Sequence, residues 1–296
     1  MIKSNGNAAA RTVNATSWIL ARCPRWLLWW IARLLARLVV LINGRAAQTT
    51  RINLSRCFPW YEPAQIKRMV RDSLTQTAML GLEAGMVFHF PVDALEAAIG
   101  RIDGLQILET ALQAPDGVLL LVPHFGNWEF LALFLGRYQL VALYDPPGNE
   151  GLERLIRSSR QRTGAQLLPL DRVGLKTAIQ TLDRGGLLGI LPDQVPDRRA
   201  GLHVPFYSHP ALTMTLVHRL IRRCEPTLLM GCAIRTEAGF DLSFRKVSTA
   251  IADPDPTVAL TAMNQEIETL IAQAPEQYQW EYRRFKSPPA GATKIY

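Results

Sequence analysis

The sequence has no acidic residue before Glu62 and lacks the common signatures of cofactor sites. Its four cysteines form no C-x-x-C pair, which excludes a zinc ribbon and a thioredoxin-like motif and indicates a reducing compartment. There is no P-loop and no G-x-G-x-x-G, and the five histidines show neither H-x-x-x-H nor H-E-x-x-H spacing. We therefore expect neither a metal nor a bound cofactor.

The basic residues are distributed unevenly along the chain. Nine of the 33 Lys and Arg residues precede Glu62, which leaves 24 basic against 25 acidic residues from position 62 onward. The formal net charge of +8 therefore belongs to the N-terminal segment. A nucleic-acid-binding domain carries its basic residues on its folded surface, so this distribution argues against a nucleic-acid partner. With 48% apolar and 20% charged residues, the chain has the composition of a folded protein with a sizeable core.

The same N-terminal segment contains the most apolar run of the sequence, Trp26–Ile42, which only Arg33 and Arg37 interrupt. A membrane-spanning helix needs ~20 apolar residues with few charges, so this run of 17 is marginal as a span. On a helix, Arg22 and the two interrupting arginines form one cationic stripe, as in helices that lie at a lipid interface. We predict that residues 16–43 bind membrane, by spanning it or lying in its plane. The alternative is an amphipathic helix packed on the protein's own core.

The remainder of the chain has the pattern of an α/β domain. Short apolar runs predict strands at Val118–Val122, Leu140–Tyr144, Leu187–Leu191, Leu228–Arg235 and Phe240–Val247, the last two forming an antiparallel hairpin. Helical spacing occurs at 64–90, 128–137, 150–163, 173–184, 210–223 and 256–273. This alternation predicts a mostly parallel mixed sheet with flanking helices. We divide the chain into a tail and anchoring helix at 1–45, with residues 1–15 frayed, and one α/β domain at 46–296.

The strongest local motif is LLLVPHFGNWEF at 119–130, in which a strand leads into His124 and a helix begins near Trp128. Ligands bind at the carboxyl ends of strands in open α/β sheets, and a histidine there is suited to act as a general base. Glu129 is placed to turn back onto the imidazole and fix its tautomer. Because G-x-S-x-G is absent, the pattern favours direct attack by a substrate hydroxyl. A purely structural histidine beside a helical glutamate is the alternative.

These residues resemble a known family. HFGNWE resembles the H-x4-D/E signature of glycerolipid acyltransferases, and the surrounding sequence resembles the late lauroyl/myristoyl acyltransferases of lipid A biosynthesis. Five further ordered blocks carry the resemblance: NLSRCFP at 53–59, YDPPGNEGLERLIRSSRQRTGAQLL at 144–168, LPDQ at 191–194, HVPFYSHPALT at 203–213 and PEQYQWEYRRFKSPP at 275–289. H-x4-E alone is weak evidence, whereas the blocks together cover nearly the whole chain from about residue 17.

The resemblance implies a glycerolipid-acyltransferase-like fold and a reaction. His124, oriented by Glu129, would deprotonate a hydroxyl on an acyl chain of a lipid A precursor, a phosphorylated glucosamine disaccharide. The oxygen would attack the thioester of an acyl–acyl carrier protein, which is a co-substrate rather than a cofactor. The implied location is the bacterial inner membrane, with the catalytic domain on its cytoplasmic face.

The resemblance also implies groups that bind substrate or the developing oxyanion. Arg162 is the first candidate donor, with Asp193 helping to hold that basic group. Arg160 lies two residues away and is a second candidate for the same role. Asn127, in the turn after the histidine, is a further candidate. Each of these residues also has an ordinary structural explanation, as a solvated helix end, a cap or a turn.

Other hypotheses remain open from the sequence. The cationic stretch formed by Arg154, Arg157, Arg160 and Arg162 suits an acidic carrier protein or the sugar phosphates, and equally suits a solubilising helix face. The loop 197–201 contains paired arginines that suit a phosphate. The same motif would serve acylation of another glycolipid, such as a phosphatidylinositol mannoside, or of a lysophospholipid. A non-catalytic, membrane-docked protein that binds lipids or nucleic acid is the alternative of another class.

Overall fold

The computed structural model describes residues 2–144 and 150–296, so residues 145–149 of the block at 144–168 lie outside the described residues. The helices in this part are α1 (Ile2–Leu20), α2 (Arg25–Leu41), α3 (Arg45–Cys57), α4 (Pro63–Leu82), α5 (Ala84–His89), α6 (Val92–Glu96), α7 (Leu105–Gln113), α8 (Trp128–Leu135), α9 (Glu150–Gln161), α10 (Arg172–Asp183), α11 (Leu216–Cys224) and α12 (Pro256–Ile271). The strands are β1 (Ile99–Asp103), β2 (Val118–Leu121), β3 (Val141–Tyr144), β4 (Gln166–Pro169), β5 (Leu187–Ile190), β6 (Gly201–Phe206), β7 (His209–Met214), β8 (Thr227–Arg235) and β9 (Phe240–Lys246).

Seven of the strands form one mixed, mostly parallel sheet in the order β1-β9-β8-β2-β5-β3-β4. Strand β2 is central and pairs in parallel with β5 on one side and β8 on the other. Strands β8 and β9 are antiparallel, which confirms the predicted hairpin, while β1 pairs in parallel with β9. The predicted α/β class with a mostly parallel sheet is therefore confirmed. The carboxyl ends of β2, β3 and β5 lie side by side at one edge.

The core lies on both faces of this sheet. In β2, Leu119 and Leu121 join one buried cluster, whereas Val118 and Leu120 join a second one. Because successive side chains of a strand point to opposite faces, both faces of the sheet are covered. A strand covered on both sides has to be apolar throughout, which is why β2 and β5 read as continuous apolar runs.

Two predictions from the sequence are wrong. Residues 210–223 were expected to form one helix, but the chain forms β7 and then α11. Strand β7 pairs antiparallel with β6, and Pro205 lies opposite Pro210 in this separate two-stranded sheet, where long-range pairing overrides the local helical spacing. The N-terminal tail is expected to be frayed over residues 1–15, but its described part, from Ile2 onward, belongs to α1 (Ile2–Leu20). The strands β1, β4 and β6 were not predicted.

Helix α2 packs on α4 through small side chains and exposes large ones. Its inner face buries Leu28, Ala32 and Ala36. On its outer face the exposed fractions of Trp26 and Trp30 are 70% and 59%. Leucines continue this outer face at positions 34, 38 and 41. The packed-helix alternative therefore holds for one face of α2, and the other face remains apolar and uncovered.

Within residues 2–144 and 150–296, no single helix combines the length and apolarity that crossing a bilayer requires. One pair, Arg25–Leu41 with Arg45–Cys57, meets the criterion when the two helices are taken together, but they are bent by 86° at their junction. The division of the chain at residue 45 stays a prediction.

Candidate active site

The loop after β2 brings His124 to the carboxyl edge of the sheet, where the sequence pattern predicted it. Gly126 has φ +64°, and a Cβ at this position would lie 2.0 Å from the carbonyl oxygen of Ala233, so the turn requires glycine. The Asn127 side chain then caps α8 by accepting the backbone N–H of Phe130 at 2.9 Å. The position of the imidazole thus follows from a strand end, a left-handed turn and a helix cap.

The imidazole pairs with Asp193, which follows the adjacent strand β5. The distance from His124 Nδ1 to Asp193 Oδ1 is 2.8 Å, and the backbone N–H of His124 donates to Oδ2 at 2.9 Å. The Asp193 side chain is 2% exposed. Burial alone would raise the pKa of this carboxyl, but the charge and hydrogen bonds of His124, with the charge of Arg284, outweigh it and lower the pKa. An ionised carboxylate only accepts hydrogen bonds, so Nδ1 of His124 carries a proton.

The other ring nitrogen of His124 faces the open side of the loop. The amide nitrogen of Gln194 lies 3.0 Å from His124 Nε2 and also contacts the amide oxygen of Gln279 at 3.4 Å. With the proton on Nδ1, Nε2 is an acceptor and Gln194 is its donor. The ring of Trp128 meets the imidazole edge-on at a centroid distance of 4.8 Å. Nε2 of His124 is therefore a basic nitrogen whose one hydrogen-bond donor, the neutral amide of Gln194, can be displaced by another donor.

Glu129 does not contact His124, and the expectation that it turns back onto the imidazole is wrong. Its carboxylate accepts from Arg160 Nε at 2.7 Å and pairs with the Nη2 of the same guanidinium. Glu129 lies in the first turn of α8, and Arg160 lies in α9. The carboxyl group at the end of the neighbouring parallel strand, Asp193, takes the place beside the imidazole instead.

Arg162 and Asp193 are likewise not partners. Arg162 donates to the backbone carbonyls of Phe88 and Phe90 and to the hydroxyl of Ser159, which ties α9 to α5. Of the two candidate arginines, it is Arg160 that lines the cavity beside His124.

Asn127 is fully buried and uses both of its side-chain polar atoms within the protein. Besides capping α8, its amide donates to Glu83 Oε2 at 2.8 Å. Glu83 in turn receives hydrogen bonds from the buried Arg235, including one of 2.8 Å to Oε2. Asn127 therefore holds the loop in place rather than facing a substrate.

A cavity of about 810 Å³ opens beside His124, between the strand ends and helices α8, α9 and α11. Most of its lining is apolar, contributed by residues such as Leu131, Leu135, Leu140, Ile156 and Leu167. The polar groups are fewer, and among them are Gln194, which contacts His124, and the pair of Glu129 and Arg160. This volume and polarity suit a long apolar ligand whose reactive end meets a few fixed polar groups.

The four arginines of the cationic stretch differ in their surroundings. Arg157 donates to the Tyr144 hydroxyl at 2.7 Å and pairs with Glu153, in the same helix. Arg160 and Arg162 have the partners given above. In the loop 197–201, Asp197 and Ala200 line the cavity, and Arg198 and Arg199 are exposed beside them. Among the described residues no group of three or more His, Cys, Asp or Glu side chains is arranged to hold a metal ion.

Comparison with known proteins agrees with this geometry. The family model "Bacterial lipid A biosynthesis acyltransferase" matches residues 7–287, nearly the whole chain. The chain belongs to this family. The family resemblance inferred from the sequence is thereby confirmed, and this lipid A acyltransferase family member is an enzyme that transfers acyl groups.

Several curated relatives have similar identity to this family member. The Escherichia coli (strain K12) lipid A biosynthesis palmitoleoyltransferase is 25% identical over 283 residues, covering 94% of this chain and 91% of the relative. The lauroyltransferase of the same organism is 26% identical over 285 residues, with 94% and 92% covered. Its myristoyltransferase is 26% identical over 269 residues, with 86% and 80% covered. The acyl group in the names differs while the identity hardly does, so chain length varies within the family.

Sequence reasoning missed the partner of His124 and overlooked Gln194. Both Asp193 and Gln194 stand in the block LPDQ, directly after the apolar strand β5. The available signal was the position of two polar residues at the end of a buried strand. What the sequence did not show was that β5 lies next to β2, because adjacency in a sheet is independent of order along the chain.

Proposed function

We propose that this chain transfers a fatty acyl group from an acyl–acyl carrier protein to a hydroxyl of a lipid A precursor, with His124 as general base. The observation that carries the proposal is the His124–Asp193 pair at the polar end of a largely apolar cavity of about 810 Å³. A long acyl chain fits the apolar part, and its reactive carbonyl then lies near the imidazole. Family membership supports the acceptor, since the names of the relatives refer to lipid A.

The tautomer of His124 defines the chemistry. Asp193 accepts a hydrogen bond from the Nδ1–H of His124, so Nε2 takes the proton of the acceptor hydroxyl once that hydroxyl displaces the amide of Gln194. The hydroxyl oxygen then forms a bond to the thioester carbonyl carbon. When the carbon–sulfur bond breaks, the imidazolium returns its proton to the departing thiolate, which leaves an ester and a free carrier thiol. Asp193 positions the ring and stabilises its charged form throughout.

The developing oxyanion needs a donor near His124, and Arg160 has this role in the proposal. Its guanidinium lines the cavity and is held by two hydrogen bonds to Glu129. A guanidinium fixed by a carboxylate is pre-oriented, which reduces the reorganisation cost in the transition state. Glu129 therefore acts by positioning Arg160, in place of the direct contact with His124 that the sequence suggested.

The donor approaches from the side of the loop 197–201. Arg198 and Arg199 are exposed next to cavity-lining residues, and Arg219 of α11 lines the cavity itself. Cations at a cavity mouth attract an acidic carrier protein and raise its association rate. This arrangement supports an acyl carrier protein as the donor.

The acceptor approaches from a membrane. The outer face of α2 presents Trp26, Trp30 and Leu34 to solvent, and Arg33 and Arg37 lie beside them. A helix of this kind lies in the headgroup plane, where each nearby Lys or Arg adds ~1 kcal/mol of attraction to anionic lipid. The proposed location is the inner membrane, with the α/β domain on the cytoplasmic side.

The proposal is tested by replacing the base. Purified His124→Ala enzyme is expected to lose activity about 10²–10⁴-fold with radiolabelled acyl–acyl carrier protein and lipid A precursor, because no other group accepts the hydroxyl proton. His209→Ala is the matched control, since its ring contacts the Arg56 carbonyl and lies outside the cavity lining. Circular dichroism and vesicle sedimentation check that folding and membrane association are retained.

Two outcomes would contradict the proposal. Full activity of His124→Ala would exclude His124 as the base. Wild-type protein that binds the lipid but transfers no acyl group would support the non-catalytic lipid-binding alternative. Mass spectrometry of lipid A from cells with and without the gene identifies the acceptor, because a difference of one acyl chain is expected. An unchanged lipid A, with a change in a phospholipid instead, would support the lysophospholipid alternative.

A further inference from the structure

A second cavity, of about 470 Å³, lies between α2, α4 and the turn at 275–277. Three arginines line it, Arg33 and Arg37 from α2 and Arg71 from α4. It shares no lining residue with the cavity beside His124. The two arginines that interrupt the apolar run of the sequence thus line the same cavity.

These three arginines lack a carboxylate partner. Across residues 2–144 and 150–296, no ion pair within 4.0 Å involves Arg33, Arg37 or Arg71. The guanidinium of Arg33 lies over the ring of Trp29, at 5.7 Å from its centroid. By contrast, Arg160, Arg235 and Arg245 are each paired with a glutamate. Three unpaired guanidinium groups around one cavity form a site for a phosphate, which they can bind through paired hydrogen bonds.

The position of this site on α2 indicates the depth at which its ligand lies. At 100° per residue, Arg33 and Arg37 flank Trp26, at the boundary of the outer apolar face on the side nearer to α4. That boundary is where a helix lying in a lipid interface meets headgroup phosphates. An anion in the cavity would therefore be part of a lipid held at the membrane surface.

The cavity is also close to His124. Glu276 lines it, and three residues further on the backbone N–H of Gln279 donates to the His124 carbonyl at 3.1 Å. Three extended residues span roughly 10 Å. On α4, Thr75 lines the cavity, and two residues later the Thr77 hydroxyl donates to the carboxylate of Glu281 at 3.0 Å. A ligand of the size of a disaccharide is long enough to span a separation of this order.

We infer that this cavity, the arginine pocket, binds a phosphate of the saccharide acceptor and thereby holds its reactive hydroxyl near His124. The inference rests on the proposed function. The pocket also contains the carboxylates of Asp72 and Glu276, which accept hydrogen bonds from sugar hydroxyls and amides. A simple phospholipid phosphate uses the cations but not these acceptors, so the lining favours a phosphorylated saccharide.

The test measures KM and kcat for the acceptor in neutral detergent micelles, with saturating acyl–acyl carrier protein. For Arg33→Ala/Arg37→Ala we expect KM for the phosphorylated acceptor to rise about 10–100-fold, as loss of charge-assisted hydrogen bonds predicts, with kcat within about twofold. With an enzymatically dephosphorylated acceptor, wild type is expected to show the raised KM, and the substitutions to add no further increase. Arg68→Ala, which removes an exposed arginine of α4 outside the pocket, is the matched control.

Three results would overturn the inference. An unchanged KM in the double variant, with wild type active, would exclude the pocket as a phosphate site while leaving the proposed function intact. Equal KM increases on both acceptors would show that the arginines do not act through the phosphate. A loss confined to binding of vesicles containing phosphatidylglycerol, relative to phosphatidylcholine alone, would assign the arginines to bilayer lipid. Inactive wild type would instead be a failure of the proposed function.

Discussion

Helix α2 and the corner between β2 and β5 arrange charged and apolar side chains in opposite ways. In the corner, His124 and Asp193 are paired, and Asp193 is almost completely buried. In α2, Arg33 and Arg37 are exposed, and so are two of its three tryptophans, Trp26 and Trp30. A soluble domain pairs its buried charges and covers its apolar surface, as the corner does. The inverted arrangement in α2 is the reason for proposing that this face contacts lipid.

The same contrast applies to the two acidic residues near the imidazole. Asp193 is buried, contacts His124 through both oxygens and has a lowered pKa. Glu129 is partly exposed and is held by an arginine. Although the sequence places Glu129 nearer to His124, the fold gives the contact to Asp193. Nearness in sequence is therefore a poor guide to which acid orients a catalytic base.

The largest effect is expected when the pair of His124 and Asp193 is broken. Asp193→Asn is expected to lower kcat about 10³-fold, within the range expected for His124→Ala, because an amide in this position no longer fixes the tautomer of His124. Glu129→Gln retains a neutral partner for Arg160, and a smaller loss is expected. Both variants are measured in the acyl transfer assay, with thermal unfolding as the control for folding. A larger loss for Glu129→Gln than for Asp193→Asn would contradict the assignment of the two acids.

A smaller effect is expected from the outer face of α2. Replacing Trp26, Trp30 and Leu34 together by Gln is expected to lower partition into anionic vesicles at least about 100-fold, since each large apolar side chain contributes about 1.5–3 kcal/mol on burial. Activity in detergent micelles is expected to stay within about twofold. Val173→Ser/Val258→Ser, at exposed apolar positions on other helices, is the control. Unchanged sedimentation with vesicles would exclude this face as the membrane contact.

The smallest predicted effect concerns the apolar wall beside the corner. Ala132 lies in α8, one helical turn beyond Trp128, and lines the large cavity. Ala132→Phe is expected to shorten the cavity, so that kcat/KM falls about tenfold for long acyl donors and less for shorter ones, in the range that one or two methylenes contribute. Measuring a series of donor lengths makes each variant its own control. An equal loss at all lengths would indicate a general packing defect.

Much of the fold follows from patterns that the sequence displays locally. The continuous apolar runs of β2 and β5 and the alternation of strands with helices predict an α/β class with a mostly parallel sheet. The segment 201–214 shows where this reasoning fails. The apolar spacing predicts a helix over 210–223, but residues 210–214 belong to β7, and only pairing between β6 and β7 decides the outcome.

The sequence by itself determined the α/β class, the place of His124 at a strand end, the cationic and apolar character of the N-terminal segment, and the family. Each of these depends on local patterns, read one at a time or, for the class and the family, in their order along the chain. Only the tertiary structure decided that Asp193 rather than Glu129 contacts His124, that Arg160 rather than Arg162 lines the cavity, and that Arg33, Arg37 and Arg71 share a pocket. These contacts join residues from different strands and helices. They depend on the order of strands in the sheet and on how helices pack, and no local pattern encodes either.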